Sequence, residues 1–455
     1  MGRTTMDDEI ELSKIGDEDL DDTGHPEDTG EGTETADPAG QDAKDQIPRN
    51  TPKRYHRKKK GRKHTALKVL AVLAAVVLVL VIGWRVANDI GRSRLYSAQN
   101  ASGPDLTETA ADASTADEEN WKSGWINYNG KVMEYNKDIL TFLFMGIDKS
   151  GPAAAGKNGI DGGQSDGNFL LVLNPDTKQI DIVAINRNTL TDIDVYDEDG
   201  NFVGSGKGQI CLQHGYGDGL QQSCERMEKA VSNLFYGLPI SGYCSIGMDA
   251  IGTLADAVGG VTVPRMTYEN GKIIYGEDET VTGEDAVAFV RNRGNDFDAA
   301  TYRLEKQKRF LQNFVARLKS SVEKDPTSIV TLYNSIKDYI VTDIDMTEIV
   351  YLADHIGGYT LNTDIYSMKG TTTPAEDAKT GHEEFVYDEQ SLYDMIIEIY
   401  YREVDPSTGK VISADGSDAV KASEASQNSE DSQEATESTE ESTEAAAESS
   451  TTADQ

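Results

Sequence analysis

Apolar residues are concentrated in the middle of the chain, and one block of them is long enough to cross a membrane. Between Ala66 and Trp84 the sole charged residue is Lys68. At about 1.5 Å per helical residue, this stretch matches a hydrocarbon core of about 30 Å. A cleaved signal peptide would follow a much shorter charged region. The pattern therefore predicts a single transmembrane helix over 66–88.

Basic residues flank that helix unevenly. The block RNTPKRYHRKKKGRKH precedes it, whereas Arg85, Arg92 and Arg94 follow it. Short loops rich in Lys and Arg stay on the cytoplasmic side of a membrane. We therefore expect a single-pass protein of the cell membrane, with its N-terminus in the cytoplasm and its C-terminal part outside the cell.

Beyond the helix, short apolar strands alternate with amphipathic helices. The run Ile139 to Met145 indicates a buried strand, and two β-rich runs joined by Asn174-Pro175-Asp176-Thr177 predict a hairpin. Helices are predicted over 219–235, 248–258, 282–290 (with Thr282 as N-cap), 300–321, 328–340 and 388–401, and further strands over 243–247, 261–263 and 359–368. This alternation predicts an α/β fold, an α/β/α sandwich with a mixed central sheet.

Both ends of the chain are poor in apolar residues. We expect a disordered cytoplasmic tail with the basic juxtamembrane block over 1–65 and an extracellular stalk over 89–125. A folded domain follows over 126–405, and a disordered acidic tail of Ser, Thr, Glu and Ala over 406–455.

The chain is strongly acidic, with 43 basic and 79 acidic residues and a formal charge of −36. Nucleic-acid binding requires a basic face, so we expect no nucleic-acid partner.

Four polar side chains after the helix predicted over 282–290 are the first candidates for chemistry: Arg291, Arg293, Arg303 and Gln307. A guanidinium group matches phosphate oxygens in a two-pronged hydrogen bond and keeps its charge. Arg303 and Gln307 are four residues apart and share a helical face. A charge run more often marks a solvated surface, so the cluster alone leaves both interpretations open.

A second polar group lies upstream at predicted strand ends. Asp148 follows the first buried strand, Asp166 precedes the hairpin and Arg187 follows it. A hairpin brings its two ends together, so Asp166 and Arg187 are predicted to meet at one edge of the sheet. Three segments thus each offer a ligand for phosphate or metal.

Taken together, these motifs resemble the LytR-CpsA-Psr family of Gram-positive cell walls over roughly 138–318. The matching residues are the pairs Gly146/Asp148, Ser165/Asp166 and Arg187/Thr189, followed by Arg291, Arg293, Arg303 and Gln307. The chain departs from the family pattern at Gly167, where Thr is usual, at Asn188, where Asp is usual, and at Lys306, where Arg is usual.

The resemblance implies a catalytic domain over 126–405 that moves a glycosyl phosphate polymer from a polyprenyl-pyrophosphate-linked glycan to peptidoglycan. It implies that Arg187, Arg291, Arg293, Arg303 and Gln307 bind the pyrophosphate, and that Asp148, Asp166 and Arg187 are catalytic. Asp148 and Asp166 would hold Mg²⁺, which binds through one or two carboxylates and substrate phosphates. One of the two aspartates is instead a candidate general base.

Two other functions stay open. One is a membrane-anchored sensor that binds wall lipid precursors without turning them over, and the other is a lipid pyrophosphatase. The polymer, whether teichoic acid, capsule or another, also stays open. Leu304, Phe310 and Phe314 either line a groove for the lipid tail or pack in the core.

The remaining candidates are weaker. Cys211, Cys224 and Cys244 allow one disulfide and one free thiol, with no zinc spacing. His214 is expected in a loop or the core rather than in catalysis. Lys207 is a candidate for a phosphate contact.

Overall fold

A computed structural model of the chain describes residues 62–97, 103–106, 121–269, 272–292, 298–374 and 383–412. The described helices are α1 (Arg62–Leu95), α2 (Leu212–Gly215), α3 (Gln221–Leu234), α4 (Met248–Ala257), α5 (Gly283–Arg291), α6 (Ala299–Lys324), α7 (Ser328–Ile336), α8 (Met346–Ile356) and α9 (Glu389–Tyr400).

The described strands contain between two and ten residues. They are β1 (Trp125–Tyr128), β2 (Lys131–Tyr135), β3 (Leu140–Ile147), β4 (Ser165–Asn174), β5 (Gln179–Ile185), β6 (Leu190–Tyr196), β7 (Phe202–Gln209), β8 (Gly242–Gly247), β9 (Val261–Glu269), β10 (Lys272–Val281), β11 (Ile340–Thr342), β12 (Thr360–Leu361), β13 (Tyr366–Ser367), β14 (Gly370–Thr373), β15 (Glu384–Tyr387) and β16 (Tyr401–Glu403).

The central sheet is mixed, as predicted. Its strand order is β11-β8-β3-β4-β5-β12, and β13 also pairs with β5. Strand β3 runs parallel to β8 and antiparallel to β4, and β4 runs antiparallel to β5. The chain is therefore a mixed α/β protein built around this sheet.

The predicted hairpin is confirmed as β4 and β5, with Asn174 opposite Gln179. The Asn174 side-chain oxygen accepts hydrogen bonds from the backbone nitrogens of Asp176 at 3.0 Å and Thr177 at 3.3 Å. An Asn side chain that bonds its own following backbone closes a turn. This turn sets the register that carries Asp166 and Arg187 to the same edge of the sheet.

Alternate residues of the central strands face two different sets of helices, as the period of two in a strand requires. Leu143 and Val172 lie in one buried cluster with residues of α3 and α9, including Val231 and Ile396. On the other side, residues of α6 and α8 pack on neighbouring sheet positions, as Leu304 does beside Phe169 and Ile182. The core is thus divided by the sheet.

Two elements predicted in the C-terminal part of the domain have the wrong boundaries. The helix predicted over 328–340 ends at Ile336, because the chain turns and Ile340–Thr342 pairs as β11 with β8. The strand predicted over 359–368 is split into β12 and β13. Between them, the Asn362 oxygen accepts from the backbone nitrogen of Asp364 at 3.1 Å, a local turn that interrupts the strand.

Helix α1 contains the segment Ala74–Leu95, which is long and apolar enough to cross a membrane. The helix continues past the span predicted over 66–88, and its end packs on the folded domain. Leu95 is fully buried beside Leu140 and Leu173, and Leu106 is also buried. Part of the segment predicted as a stalk therefore belongs to the folded unit.

The remaining predicted segments lie outside the described residues. These are the N-terminal tail over 1–61, the stalk positions 98–102 and 107–120, and the acidic tail from 413.

Candidate functional site

Asp148, Asp166 and Arg187 meet at one edge of the central sheet, and the meeting of Asp166 with Arg187 is the one predicted from the hairpin. Asp148 directly follows β3, Asp166 is the second residue of β4, and Arg187 comes shortly after β5. The backbone nitrogen of Asp148 donates to the carbonyl of Gln164 at 3.1 Å, which fixes the end of β3 against the start of β4. Strand pairing thus positions all three side chains.

Asp166 is held between two arginines. Its Oδ2 lies 2.7 Å from Nη1 of Arg303, and its Oδ1 accepts from Nη1 of Arg187. The side chains of Asp166 and Arg303 are 6% and 7% exposed, and that of Arg187 is 16% exposed. The predicted helical face of Arg303 therefore reaches the sheet edge, where the aspartate neutralises one buried and one partly buried cation.

Two further residues, which the sequence analysis missed, hold Arg187. Its Nη2 donates to Oε1 of Gln164 and lies 3.2 Å from Sγ of Cys211. Burial raises the pKa of the Cys211 thiol although Arg187 acts in the opposite direction, so the sulfur accepts as a neutral thiol. Gln164 lies two residues before Asp166, the spacing of one strand face. Nothing in the sequence around Cys211 indicates that it lies beside Arg187.

Asp148 and Arg291 form a second ion pair at the exposed side of the site. Arg291 Nη2 lies 2.9 Å from Asp148 Oδ1, and the two side chains are 46% and 50% exposed. Arg291 is the last residue of α5, which begins after the predicted N-cap Thr282. The Thr282 side chain makes no capping bond. Instead, the backbone nitrogen of Gly283 donates to Asp256 at 2.9 Å.

Gln307 lies beside Gly167, the position where the family usually has Thr. Its Nε2 donates to the carbonyl of Val290 at 3.4 Å, and its buried Oε1 has no hydrogen-bond partner in the described part of the chain. A Cβ added to Gly167 would lie 3.3 Å from that oxygen. The glycine therefore leaves room for the Gln307 amide. Arg293 lies outside the described residues.

Lys306 points away from the ion pairs. Its Nζ lies 5.0 Å from the centre of the Phe289 ring and 5.1 Å from that of Tyr302, distances typical of cation–π contacts. Burial lowers its pKa. This lysine packs between aromatic rings, so it does not replace the arginine that the family usually has there.

Lys207 and His214 are placed in other surroundings. Lys207 lies on the hairpin of β6 and β7, and its Nζ is 3.0 Å from Asp192 Oδ2. No contact joins it to the ion pairs among the described residues. His214 is a core residue, as expected: its Nδ1 donates to the carbonyl of Gly163 at 2.9 Å, and burial lowers its pKa to about 4.

The three cysteines are free and buried, so the disulfide that their number allows is not formed. Phe310 and Phe314 are core residues. Leu304 is only partly buried and packs in a different cluster, against Phe169 and Ile182.

The site offers oxygen ligands to a hard cation. Over the described ranges no group of three or more His, Cys, Asp or Glu side chains is arranged around a metal position. Mg²⁺ needs fewer, since it keeps waters and binds substrate phosphates beside one or two carboxylates. Asp148 has the accessible carboxylate, and both oxygens of Asp166 already accept from arginines.

Three guanidinium groups lie around two carboxylates on an α/β scaffold, and guanidinium groups are well suited to hydrogen bonding with phosphate oxygens. These residues lie within the range over which the chain matches a known protein family. The LytR_cpsA_psr family matches residues 103–398, and the chain belongs to this family.

Several members of the family are named as transferases. The polyisoprenyl-teichoic acid–peptidoglycan teichoic acid transferase TagU of Bacillus licheniformis is 26% identical over 47% of this chain and 64% of its own length. TagU of Enterococcus faecalis, with the same full name, is 25% identical over 63% of this chain and 82% of its own. The crystal structure of TagV from B. subtilis is 21% identical, with a TM-score of 0.44 over 57% of this chain and 95% of that one. The chain thus spans just under two thirds of the B. licheniformis protein.

Proposed function

We propose that this chain moves a glycosyl phosphate polymer from a polyprenyl-pyrophosphate carrier to peptidoglycan. The observation that carries the proposal is Asp166, buried between Arg187 and Arg303 with the Asp148–Arg291 pair beside it. The names of the related TagU proteins support a teichoic acid as the polymer.

The arginines bind and stabilise charge rather than carry protons. A guanidinium group stays protonated in proteins, so Arg187, Arg291 and Arg303 act on the pyrophosphate as fixed cations. Arg293 joins them as the partner of Arg291 in the Arg-x-Arg motif. Gln307 orients the substrate through its amide. Bound phosphate oxygens would replace carboxylate oxygens as partners of the arginines.

In the reaction, an acceptor hydroxyl oxygen of peptidoglycan bonds to the phosphorus next to the sugar. The bond from that phosphorus to the bridging oxygen breaks, and polyprenyl phosphate leaves with the electron pair. The hydroxyl proton goes to a carboxylate or to water. Asp148 is the better placed acceptor, because its carboxylate is half exposed whereas both oxygens of Asp166 are occupied.

Mg²⁺ is the proposed cofactor, with Asp148 and Asp166 as its ligands. Asp166 would become available when substrate phosphates replace it as the partner of its arginines, and Asp148 as a metal ligand is the alternative to Asp148 as the proton acceptor, the proton then going to water. The ion would neutralise negative charge on the pyrophosphate as the leaving group departs. An accessible carboxylate and substrate phosphates are the ligands that this ion prefers.

Membrane anchoring and binding of the lipid tail complete the proposed function. We infer an α/β/α sandwich anchored by α1, with the N-terminus in the cytoplasm and the sheet outside the cell. Partly buried apolar residues between the sheet and α6 would receive the lipid tail; they are Phe144, Leu171, Leu304 and Leu311.

The test is product analysis of the full chain in detergent with Mg²⁺, a polyprenyl-pyrophosphate-linked sugar and peptidoglycan fragments. Sugar phosphate joined to the fragments is expected from the natural chain and not from Arg187→Ala or from a sample with excess EDTA. Lys207→Ala is the matched control, since Lys207 pairs with Asp192 on an exposed hairpin.

Two outcomes would replace the proposal. Release of polyprenyl phosphate without joining would establish a lipid pyrophosphatase. Retention of the lipid with no release at all would establish a sensor.

A further inference from the structure

A cavity of about 830 Å³ lies between α1 and the edge of the central sheet opposite the candidate site. Asp138, which lines it, precedes β3, whereas Asp148 follows that strand. Lys178, also in the lining, precedes β5, whereas Arg187 follows it. Strand β3 has eight residues, so its two ends are separated by roughly 25 Å at about 3.3 Å per residue. The cavity is therefore separate from the candidate site.

The part of α1 that lines this cavity is where the apolar surface of the helix gives way to charge. Val76 to Ile82 are about half to two thirds exposed, and all are apolar. Trp84 and Arg85 then enter the cavity lining, followed one and two turns later by Asp89 and Arg92. Tryptophan is enriched at the boundary between hydrocarbon and water, and charged residues begin beyond it. If α1 is the membrane anchor proposed above, with Trp84 at the boundary, the cavity begins at the depth of lipid headgroups.

Three cations of the lining have no carboxylate partner in the part of the chain that the structure describes: Arg85, Arg92 and Lys178. Arg92 lies 5.7 Å from the ring centre of Tyr96, and Lys178 lies 5.1 Å from that of Tyr359. These side chains are therefore held by aromatic rings while their N–H groups remain available. Arginine and lysine at such a position suit a phosphate group.

The lining also offers carboxylates. Asp176 forms an ion pair with Arg402 at 3.1 Å, and Asp354 accepts a hydrogen bond from the side chain of Asn88 at 2.9 Å. The carboxylates of Asp89 and Asp138 accept no hydrogen bond from any other described residue. A ligand that is only anionic would be repelled by these two carboxylates, and a ligand that is only cationic would be repelled by the three basic groups. A compound that carries both charges matches the cavity on each side.

We propose that this cavity binds the headgroup of a zwitterionic aminophospholipid from the leaflet next to the domain. Arg92 and Lys178 receive the phosphate. Asp89 and Asp138 accept hydrogen bonds from the ammonium group. The acyl chains follow the exposed apolar face of α1. This inference does not depend on the proposed transferase activity.

The experiment is native mass spectrometry of the full chain in detergent, titrated separately with short-chain phosphatidylethanolamine, phosphatidylglycerol and inorganic phosphate. One phosphatidylethanolamine should bind at saturation, at least tenfold more tightly than phosphatidylglycerol. Lys178→Gln should weaken that binding about tenfold, although Lys178 is far in sequence from the membrane helix. Arg265→Gln is the control, because Arg265 lies on an exposed hairpin and pairs with Glu279.

A second variant tests the other half of the site. Asp138→Asn should bring the affinity for phosphatidylethanolamine close to that for phosphatidylglycerol, with little effect on the latter. Equal binding of the natural chain and Lys178→Gln would overturn the proposal. So would tighter binding of phosphatidylglycerol, which contradicts the ammonium contacts, or of inorganic phosphate, which would make this a site for the free ion.

Discussion

Arg303 and Asp166 form an ion pair at 2.7 Å in which both side chains are more than nine tenths buried. The other oxygen of the same carboxylate accepts from Arg187. Removing one member of a buried pair leaves an uncompensated charge, which costs far more than the loss of a surface pair. Asp166 is therefore a structural residue as well as a proposed catalytic one.

The two aspartates are expected to differ in what their loss does to stability. Asp166→Asn should abolish transfer and lower the free energy of unfolding by about 3 kcal/mol, because the buried guanidinium group of Arg303 and the partly buried one of Arg187 lose their counter-charge. Asp148→Asn should also abolish transfer but change stability by less than about 1 kcal/mol, since its pair with Arg291 is half exposed. Urea unfolding and transfer assays on both variants make the comparison. Equal destabilisation would contradict it.

Charge alone should not be sufficient at position 187. Arg187 donates to Asp166 and Gln164 and contacts the Cys211 sulfur, and a lysine ammonium cannot reproduce that planar set of bonds. We expect Arg187→Lys to lower kcat by about a hundredfold at saturating lipid substrate. Lys207→Arg, on the exposed hairpin, is the matched control. Near-normal turnover of Arg187→Lys would show that position 187 supplies only charge.

Cys211 is expected to act as a positioning residue for Arg187. Cys211→Val replaces the thiol by a somewhat larger apolar side chain and removes the sulfur that the guanidinium contacts, and we expect kcat to fall roughly three- to tenfold. Cys244→Val makes the same change at another buried thiol and should leave kcat unchanged. A rise in KM alone for Cys211→Val would place its effect on binding instead.

Stability should fall as the pH rises toward neutrality, and Glu228 is one cause. Burial, with Asp343 and Glu225 nearby, raises its pKa from 4.5 to about 7. The folded protein therefore binds this proton more tightly than the unfolded chain. The free energy of unfolding decreases as the pH rises from 4.5 to about 7, the two pKa values of this carboxyl group. Glu228→Gln should remove about 2 kcal/mol of that decrease. Urea unfolding at pH 5 and pH 8 measures it, and an unchanged pH dependence would exclude Glu228 as a cause.

The contact between α1 and α8 should be sensitive to side-chain size at Gly91. A Cβ there would lie 2.1 Å from the backbone oxygen of Thr347, whereas nothing lies within 4 Å of a Cβ at Gly83. Gly91→Leu should therefore lower the free energy of unfolding by about 2 kcal/mol or more. Gly83→Leu, in the same helix, should not. Similar melting of the two variants in detergent would mean that the helix adjusts freely.

The central strands and the candidate cluster were predictable because their signals are local. The apolar run of β3 and the turn at Asn174 indicate the strands, and the order of the acidic and basic residues along the chain indicates the site. The pairing of Asp166 with Arg303 was not predictable, because it joins residues of β4 and α6 that are brought together only by packing. The same holds for Cys211 beside Arg187.

Other features were missed because polar residues form them. Asp192 and Lys207 lie opposite each other in the hairpin of β6 and β7, whose strands lack an apolar alternation. The position of Lys306 depends on two aromatic rings from α5 and α6. From the sequence this residue is visible only as a departure from the family's usual arginine, and its packing against Phe289 and Tyr302 appears only in the folded structure.

 

Leu95, at the end of α1, packs beside Leu140 at the start of β3, and Asp148 follows the end of that strand. A hydrogen-bonded strand keeps a nearly fixed length, so β3 would hold the proposed active site at a constant distance from the proposed membrane anchor. The proposed active site would then stand at a set height above the lipid surface, and the wall strand must come to that height to be modified.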